Sequence, residues 1–290
     1  MVRRLTIIFT GIAALCSCNE LDLKGILMPT GPGVQTRFEQ SAKMYPELNA
    51  GSVTTDDTYV FYVATDPHIG SSHKGLDIFN DALRNDGNAS FGVILGDCTD
   101  IRDNLACYLG ALAYSPERHS CNQRIFHVLG NHDIFWNGWF DFRDNVGPSV
   151  YWFETVFEGG KDLYICLDTA TATLGSSQDS WFRSFLEKNR KKYRHCIILT
   201  HTNFFYTDLT QGSSGNFTIE ESFSLIDFMD RNDVSLVLQG HDHYREDIIY
   251  NDVRYTLLGA ISDKMESPEY LKIEASPDGI RLDWQVISCD

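Results

Sequence analysis

The sequence has little positive charge, no long hydrophobic run and no cluster of cysteines. Its 24 basic residues face 40 acidic ones, giving a formal net charge of -16, which becomes -18 if a segment carrying Arg3 and Arg4 is removed. Such an acidic surface repels polyanions. We therefore expect no nucleic acid as the main partner, although a local pair of metal ions can still attract a small phosphate ester.

The N-terminal apolar stretch, Leu5 to Leu15, is shorter than the roughly 20 residues that a membrane-spanning helix needs. It follows a basic start and precedes Cys16-Ser17-Cys18, as in a secretory signal. The small residue before Cys18 resembles a bacterial lipobox, which implies cleavage before Cys18 and diacylation of its thiol. Bulky Leu15 makes Cys16 the weaker candidate. An ordinary signal peptide with incidental cysteines is the alternative.

These features predict an exported bacterial membrane lipoprotein that faces the periplasm or the cell surface. Residues 1–17 are its predicted signal peptide. Residues 18–55 are predicted to be a tether and N-terminal extension, in which Phe38 and Tyr45 anchor a short packed segment. Residues 56–290 have the length of one catalytic domain, and the chain as a whole is 43% hydrophobic, which argues against disorder.

Six cysteines lie beyond the predicted signal, at positions 98, 107, 121, 166, 196 and 289, and their spacing matches no zinc-finger pattern. Cys166 and Cys196 stand within apolar runs, which predicts that both are core residues. Whether Cys107 and Cys121 form a disulfide is left open.

From Tyr59 onwards, strand and helix patterns alternate, which is typical of a layered α/β fold. Leu76, Phe79 and Leu83, for example, recur at helical spacing after the first strand. Three late strands, from Tyr255 to Trp284, have few helices between them, so part of a second sheet is expected there. The pattern predicts an α/β protein with two packed mixed β-sheets flanked by helices.

Residues of the kind that bind metals follow five predicted strands. The central motif is Gly130-Asn131-His132-Asp133, after the apolar run Ile125 to Leu129. The same design recurs in Asp66-Pro67-His68, Gly96-Asp97-Cys98-Thr99-Asp100, Thr200-His201 and Gly240-His241-Asp242-His243. Each motif alone is a weak signal, because a lone His after a strand is more often a hydrogen-bonded polar residue. Together they mix carboxylate and amide oxygens with imidazoles, which suits divalent first-row metals and is too large a set for one ion.

The order of these five blocks resembles the calcineurin-like metallophosphoesterases over residues from about 56 to 260. The resemblance implies a four-layer α/β/β/α sandwich and a pair of divalent or first-row transition metal ions (Mn, Fe, Zn or Mg). By the same resemblance, one ion is held by Asp66, His68 and His243, the other by Asn131, His201 and His241, and Asp97 bridges them. A hydroxide shared by the ions would attack the phosphorus of a small phosphate mono- or diester.

The resemblance also implies a catalytic pair, in which His132 faces the leaving group and Asp100 accepts from its ring. A helix N-cap is the simpler role for Asp100. Two departures from the family pattern limit the comparison. Ile101 stands where the protein phosphatases carry an arginine, so an arginine grip on phosphate at that position is not expected. Asp100 itself stands where the purple acid phosphatases carry a tyrosine ligand, so a tyrosinate–iron site is not expected either.

Aromatic residues crowd the loops beside these motifs. Trp136, Trp139 and Phe205 are our candidates for contact with the substrate, against the alternative that they pack the loops. A second hypothesis is a catalytically weak surface lipoprotein that binds a ligand in the same cleft. The complete ligand set and His132 favour the enzyme. Monoester, diester or pyrophosphate cleavage, metal identity and oligomeric state are left open.

Overall fold

The computed structural model describes residues 31–70, 72–112, 124–204 and 216–287. Its helices are α1 (Val34–Met44), α2 (Lys74–Asn85), α3 (Leu105–Ala111), α4 (Trp139–Asn145), α5 (Gly175–Asn189) and α6 (Ile219–Arg231). Its strands are β1 (Asn49–Thr54), β2 (Tyr59–Ala64), β3 (Ala89–Ile94), β4 (Arg124–His127), β5 (Tyr151–Phe157), β6 (Gly160–Cys166), β7 (Cys196–Leu199), β8 (Leu236–Gln239), β9 (Glu246–Tyr250), β10 (Val253–Leu257), β11 (Glu269–Ser276) and β12 (Gly279–Val286). Short 3₁₀ helices lie at Pro46–Leu48, Arg102–Asn104, His132–Asn137 and Arg190–Lys192.

The strands form two mixed sheets. One sheet has the order β1-β5-β6-β7-β8-β10-β9, and the other has the order β12-β11-β2-β3-β4. The neighbours β2, β3 and β4 run parallel to one another, and so do β6, β7 and β8. Their carboxyl ends therefore lie along one edge of each sheet. The predicted fold class, two packed mixed sheets flanked by helices, is confirmed.

An aromatic core holds the two sheets together. All six residues of β2 are buried, as expected for a central strand whose two faces are both covered. Phe61 stacks on Phe91 with ring centroids 4.9 Å apart, and Tyr164 of the other sheet packs edge-on against Phe91 at 5.3 Å. Offset and edge-on aromatic pairs are favourable beyond their area burial. These contacts set the placement of one sheet relative to the other.

Helices cover both outer faces. The predicted helical stripe of Leu76, Phe79 and Leu83 is buried against the five-stranded sheet, whose outer face α3 and α4 also cover. Phe182 and Leu186 of α5, with residues of α6, cover the seven-stranded sheet. Cys166 and Cys196 are core residues, as predicted.

The described part of the predicted N-terminal extension belongs to this fold. β1 pairs in parallel with β5 and forms an edge of the seven-stranded sheet. Phe38 packs on Trp181 with centroids 6.1 Å apart, and Tyr45 packs edge-on against Tyr151 at 6.2 Å. The fold therefore begins before the boundary expected at residue 56. The sequence did not predict these elements because the segment shows no sustained apolar period, and left-handed residues at Glu47 and Leu48 lie between α1 and β1.

The predicted signal peptide, Cys18 and the first part of the tether lie outside the described residues, as do Cys121, Cys289 and Phe205. Among the helices of the described ranges, none has both the length and the apolar character that crossing a membrane requires.

A fully buried ion pair connects α1 to the seven-stranded sheet. Arg37 donates from Nε to Asp168 Oδ2 at 2.8 Å and from Nη2 to Oδ1 at 2.9 Å, and neither side chain is exposed. Asp168 follows β6, and its backbone N–H donates to Gln178 Oε1 at 2.8 Å. Bidentate geometry of this kind is the strong form of an arginine–carboxylate contact.

Replacement of Arg37 by Met should lower the free energy of unfolding by about 3–5 kcal/mol, because Asp168 is then left buried without its counter-charge. Urea unfolding followed by circular dichroism measures the change. Arg143→Met is the matched control, since Arg143 pairs with Asp144 at the surface and exposed pairs contribute little. Equal small losses in the two variants would contradict a structural role for the buried pair.

Candidate metal centre

All seven side chains predicted to be ligands meet at one place, where the carboxyl ends of five strands converge. Asp66 and His68 follow β2, Asp97 follows β3 and Asn131 follows β4, all in the five-stranded sheet. His201 follows β7, and His241 with His243 follows β8, in the seven-stranded sheet. The site thus lies at the seam between the two sheets.

The first cluster of donor atoms comprises Asp66, His68 and His243. His68 Nε2 lies 3.0 Å from His243 Nε2 and 3.6 Å from Asp66 Oδ1, and His243 Nε2 lies 3.3 Å from that same oxygen. Asp97 Oδ2 is 3.6 Å from His68 Nε2 and adds a fourth donor. Imidazole nitrogens and carboxylate oxygens at this spacing can close around a divalent ion.

The second cluster comprises Asn131, His201 and His241. Asn131 Oδ1 lies 3.0 Å from His201 Nε2 and 2.9 Å from His241 Nδ1. Asp97 Oδ1 is 3.4 Å from His201 Nε2, so the two oxygens of Asp97 face different clusters. His201 donates from Nδ1 to the carbonyl oxygen of Leu95 at 2.7 Å, and this bond turns Nε2 towards the cluster.

Backbone strain is concentrated at these positions. Five of the seven residues have left-handed backbones, with φ of 52° at Asp66, 44° at His68, 49° at Asp97, 82° at His241 and 60° at His243. Such conformations are uncommon for residues other than glycine and cost roughly 1–3 kcal/mol each. They aim these side chains off the strand ends towards one place at the seam between the sheets.

The donor set fits a cation. Asp66 is fully buried, and its Oδ1 accepts no hydrogen bond from the described residues, although Oδ2 accepts from Thr65 Oγ1 and from His241 N–H. An unsatisfied buried carboxylate oxygen is costly. A cation held by this oxygen and by the imidazoles of His68 and His243 would satisfy it. The chemistry of the donors therefore supports a divalent metal site.

The electrostatics of the clusters point the same way. Burial disfavours ionisation of Asp66, but the imidazoles of His201, His243 and His68 hold its pKa well below the usual range. Burial likewise disfavours a charged His201, yet Asp97 and Asp66 raise the pKa of His201 to about 10. Burial and His201 together lower the pKa of His241. The buried carboxylates thus demand positive charge, which a divalent ion supplies more fully than a proton.

A profile of the family described as calcineurin-like phosphoesterase matches residues 59–245. The chain belongs to this family. The matched segment contains all five strand ends of the candidate metal centre. Family and donor set together support a metal-dependent phosphoester hydrolase. No curated protein matches the chain.

Several solved structures have the same fold. A purple acid phosphatase, PPD1, from yellow lupin aligns with a TM-score of 0.61 and 12% identity over 83% of this chain and 52% of its own. GAP50, the anchor in the inner membrane complex of Plasmodium, aligns with a TM-score of 0.59 and 16% identity over 80% of this chain and 85% of its own. A dimetal phosphatase from Danio rerio aligns with a TM-score of 0.54 and 13% identity over 81% of this chain and 100% of its own. At these identities the likeness shows the fold alone.

Asp100 contacts His132 through its backbone carbonyl and not, as expected, through its carboxylate. His132 donates from Nδ1 to the backbone carbonyl of Asp100 at 3.1 Å, while the Asp100 carboxylate lies 3.2 Å from His68 Nδ1 and accepts from Lys264 Nζ at 2.5 Å. The backbone bond still fixes the ring of His132, with Nε2 facing away and 4.0 Å from Asp97 Oδ2. Sequence spacing could not distinguish the backbone of Asp100 from its side chain.

The structure divides the three aromatic candidates. Trp139, the first residue of α4, is fully buried and donates from Nε1 to Gln40, so it is a core residue and the expectation of substrate contact is wrong. Trp136 is 45% exposed and has a left-handed backbone. Phe205 lies outside the described residues. Ile101 is exposed, and Arg102, the residue after it, pairs with Asp141.

Sequence reasoning missed three residues that hold this phosphoesterase site in place. The buried carboxylate of Asp133 accepts from Cys98 N–H and from Gly130 N–H, both at 2.9 Å, and so joins two of the ligand loops. Thr65 donates to Asp66, and Thr169 Oγ1 accepts from His201 N–H at 3.1 Å. The fixed spacing of Asp133 from Gly130 was the available signal. Thr65 and Thr169 carry no comparable pattern.

Gly130→Ala should empty the candidate metal centre without a wide loss of structure. A Cβ atom at Gly130 would lie 2.2 Å from both Asp97 N and Asp97 Oδ1, so the carboxylate shared by the clusters must move. Elemental analysis should show less than half of the wild-type metal content. Gly110→Ala is the control, because a Cβ there meets no atom within 4 Å. Unchanged metal content in Gly130→Ala would show that Asp97 binds no metal.

Proposed function

We propose that the protein is an exported, lipid-anchored phosphoesterase that uses two divalent ions to hydrolyse small phosphate mono- or diesters. The observation that carries the proposal is the shared carboxylate, since Asp97 turns one oxygen to each of two donor clusters. Eight donor atoms in two groups exceed what one ion takes from His, Asn and Asp side chains in such sites.

The assignment of ligands follows the clusters. Asp66, His68 and His243 would hold one ion, Asn131, His201 and His241 would hold the other, and Asp97 would be the ligand that both ions share. The bridging carboxylate offsets the repulsion between two cations. When bound, the ion pair supplies Lewis acidity and an acidified water for attack on phosphorus.

His132 is proposed to assist the leaving group. Its Nδ1–H donates to the Asp100 carbonyl, so a protonated ring presents Nε2–H to the cleft, and its side chain is 33% exposed. The backbone carbonyl adds no negative charge to the ring, and orientation of the ring is therefore its main contribution. Trp136, exposed beside this loop, is the remaining described candidate for a pocket wall.

The alternative is a surface lipoprotein that binds a ligand in the cleft with little turnover. His132 also lies with Asp97 and His68 in a third group of donors that could hold an ion, which would leave no acid for catalysis. The enzyme is favoured by the contacts of His132. Its Nδ1 is held by the backbone carbonyl of Asp100, and its Nε2 lies 4.0 Å from Asp97 Oδ2. This distance is longer than the 2.9–3.6 Å between neighbouring donor atoms in the two main clusters.

One assay separates the two hypotheses. The protein is stripped of metal with a chelator, reloaded with Mn²⁺, and tested on nitrophenyl phosphate and bis(nitrophenyl) phosphate. We expect metal-dependent release of nitrophenol that Asp97→Asn abolishes. Metal binding without turnover of either ester would support the binding lipoprotein.

The two-ion count predicts unequal losses among ligand variants. Asp97→Asn should lower the occupancy of both sites, because this carboxylate contacts both clusters, whereas His241→Ala should remove mainly one ion. Elemental analysis of protein dialysed against a fixed Mn²⁺ concentration measures the stoichiometry. Loss of one and the same ion in both variants would contradict the bridge.

The role of His132 predicts a dependence on the leaving group. His132→Ala should keep both metals and slow alkyl esters by about 10²–10⁴-fold, because an alkoxide needs a proton. Nitrophenyl esters should be slowed less, since nitrophenolate leaves without one. Steady-state kinetics on matched alkyl and nitrophenyl esters measures the difference. Equal slowing with metals retained would make His132 a phosphate binder, and loss of metal would make it a ligand.

The lipid anchor predicts different effects at two neighbouring cysteines. Cys18→Ala should release soluble protein or leave unprocessed precursor, whereas Cys16→Ala should change little. Membrane partitioning and incorporation of labelled fatty acid measure the outcome. Unchanged labelling and partitioning in Cys18→Ala would exclude this anchor and leave the proposed hydrolase untouched.

A further inference from the structure

The Asp100 carboxylate has a partner at each oxygen. Oδ1 lies 3.2 Å from His68 Nδ1, and Oδ2 accepts from Lys264 Nζ at 2.5 Å. His68 turns its other nitrogen, Nε2, towards Asp66, Asp97 and His243. A carboxylate cannot donate a hydrogen bond, so Oδ1 favours the form of His68 that carries a proton on Nδ1, and in that neutral form the lone pair of Nε2 faces the first cluster.

The position of Asp100 is itself fixed from several sides. A Cβ atom at Gly70 would lie 3.1 Å from Asp100 Oδ2, so the main chain passes close beside this oxygen. Lys264 belongs to a loop that is tied down at two points. Ile261 N–H donates to the Thr65 carbonyl at 3.0 Å, and Asp263 accepts from the N–H groups of Lys74 and Gly75 at the start of α2.

We infer that Asp100 is a positioning residue for the metal ligand His68, with Lys264 holding the carboxylate in place, and that it does not act through His132. This inference rests on the proposed metal centre. The carboxylate fixes the Nδ1–H tautomer and the ring orientation of His68, which sets the affinity of the Asp66, His68 and His243 cluster for a divalent ion. Asp100 thereby acts on one of the two clusters and leaves the other unchanged.

The first test measures metal affinity. Asp100→Ala should weaken the binding of one Zn²⁺ equivalent by about 10–100-fold and leave the second unchanged, in competition titrations with a chromophoric chelator. Asp100→Asn keeps an acceptor oxygen and should lose less affinity at the same ion. Asp86→Ala is the matched control, because Asp86 also pairs with a lysine, Lys272 at 2.6 Å, but its second side-chain partner is Tyr62 and not a metal-donor histidine. Two unchanged affinities in the folded Asp100 variants would overturn the inference.

The second test reads the imidazole directly. In the Zn²⁺-loaded protein, which is diamagnetic, the Nδ1 proton of His68 should give a low-field resonance that Asp100→Ala removes and Asp86→Ala keeps. His68→Gln assigns the signal. If Asp100→Ala fails to fold, the same two measurements are made on Asp100→Asn. An unshifted resonance together with unchanged metal affinities in that variant would overturn the inference.

The third test separates His68 from His132. At saturating metal, Asp100→Ala should keep the wild-type ratio of rates on alkyl and nitrophenyl esters. A loss confined to alkyl esters, as expected for His132→Ala, would show that Asp100 acts through His132 and would overturn the inference. Failure of the proposed function is distinguishable from failure of this inference, because the unsubstituted protein would then bind no metal or hydrolyse neither ester.

Discussion

Two buried carboxylates, Asp66 and Asp97, impose the main constraint on this structure. Neither is exposed to water to any useful extent, and like charges cannot be buried side by side without compensation. Four imidazoles and several backbone donors compensate these charges. The donors include the N–H groups of His132 and His241, which bond to Asp97 and Asp66 respectively. Every element at the seam between the sheets serves to bring those donors within reach of the two acids.

Convergence at the seam depends on topology more than on any local motif. The parallel strands β2, β3 and β4 deliver three loops at one edge, and β7 and β8 deliver two more from the other sheet. The aromatic contacts around Phe91 keep the two edges in register. A change in sheet packing would therefore separate Asp97 from His201, although no ligand had been altered.

The fold and the meeting of the seven candidate ligands could be predicted because strand ends are marked by local signals. Apolar runs ending in Asp, Asn or His mark strand ends, and seven such residues proved to be neighbours. Side-chain partners could not be predicted in the same way. The Asp100 carboxylate contacts His68 and Lys264, which lie far apart in the sequence, and Trp139 enters the core through the short helix α4. The strand β1 was missed because it is a partly exposed edge strand whose pairing comes from β5.

The position of Gly31 in the fold has a geometric consequence for the proposed lipoprotein. Gly31 lies beside Asn137, and Asn137 ends the short helix that starts at His132. About 12 residues separate Gly31 from Cys18, and an extended chain covers at most about 3.3–3.6 Å per residue. An anchor at Cys18 would thus keep Gly31, which lies beside the loop that carries His132, within roughly 45 Å of the bilayer. An enzyme tethered in this way would encounter esters near the membrane surface directly, whereas esters in the bulk solution would have to diffuse to the membrane.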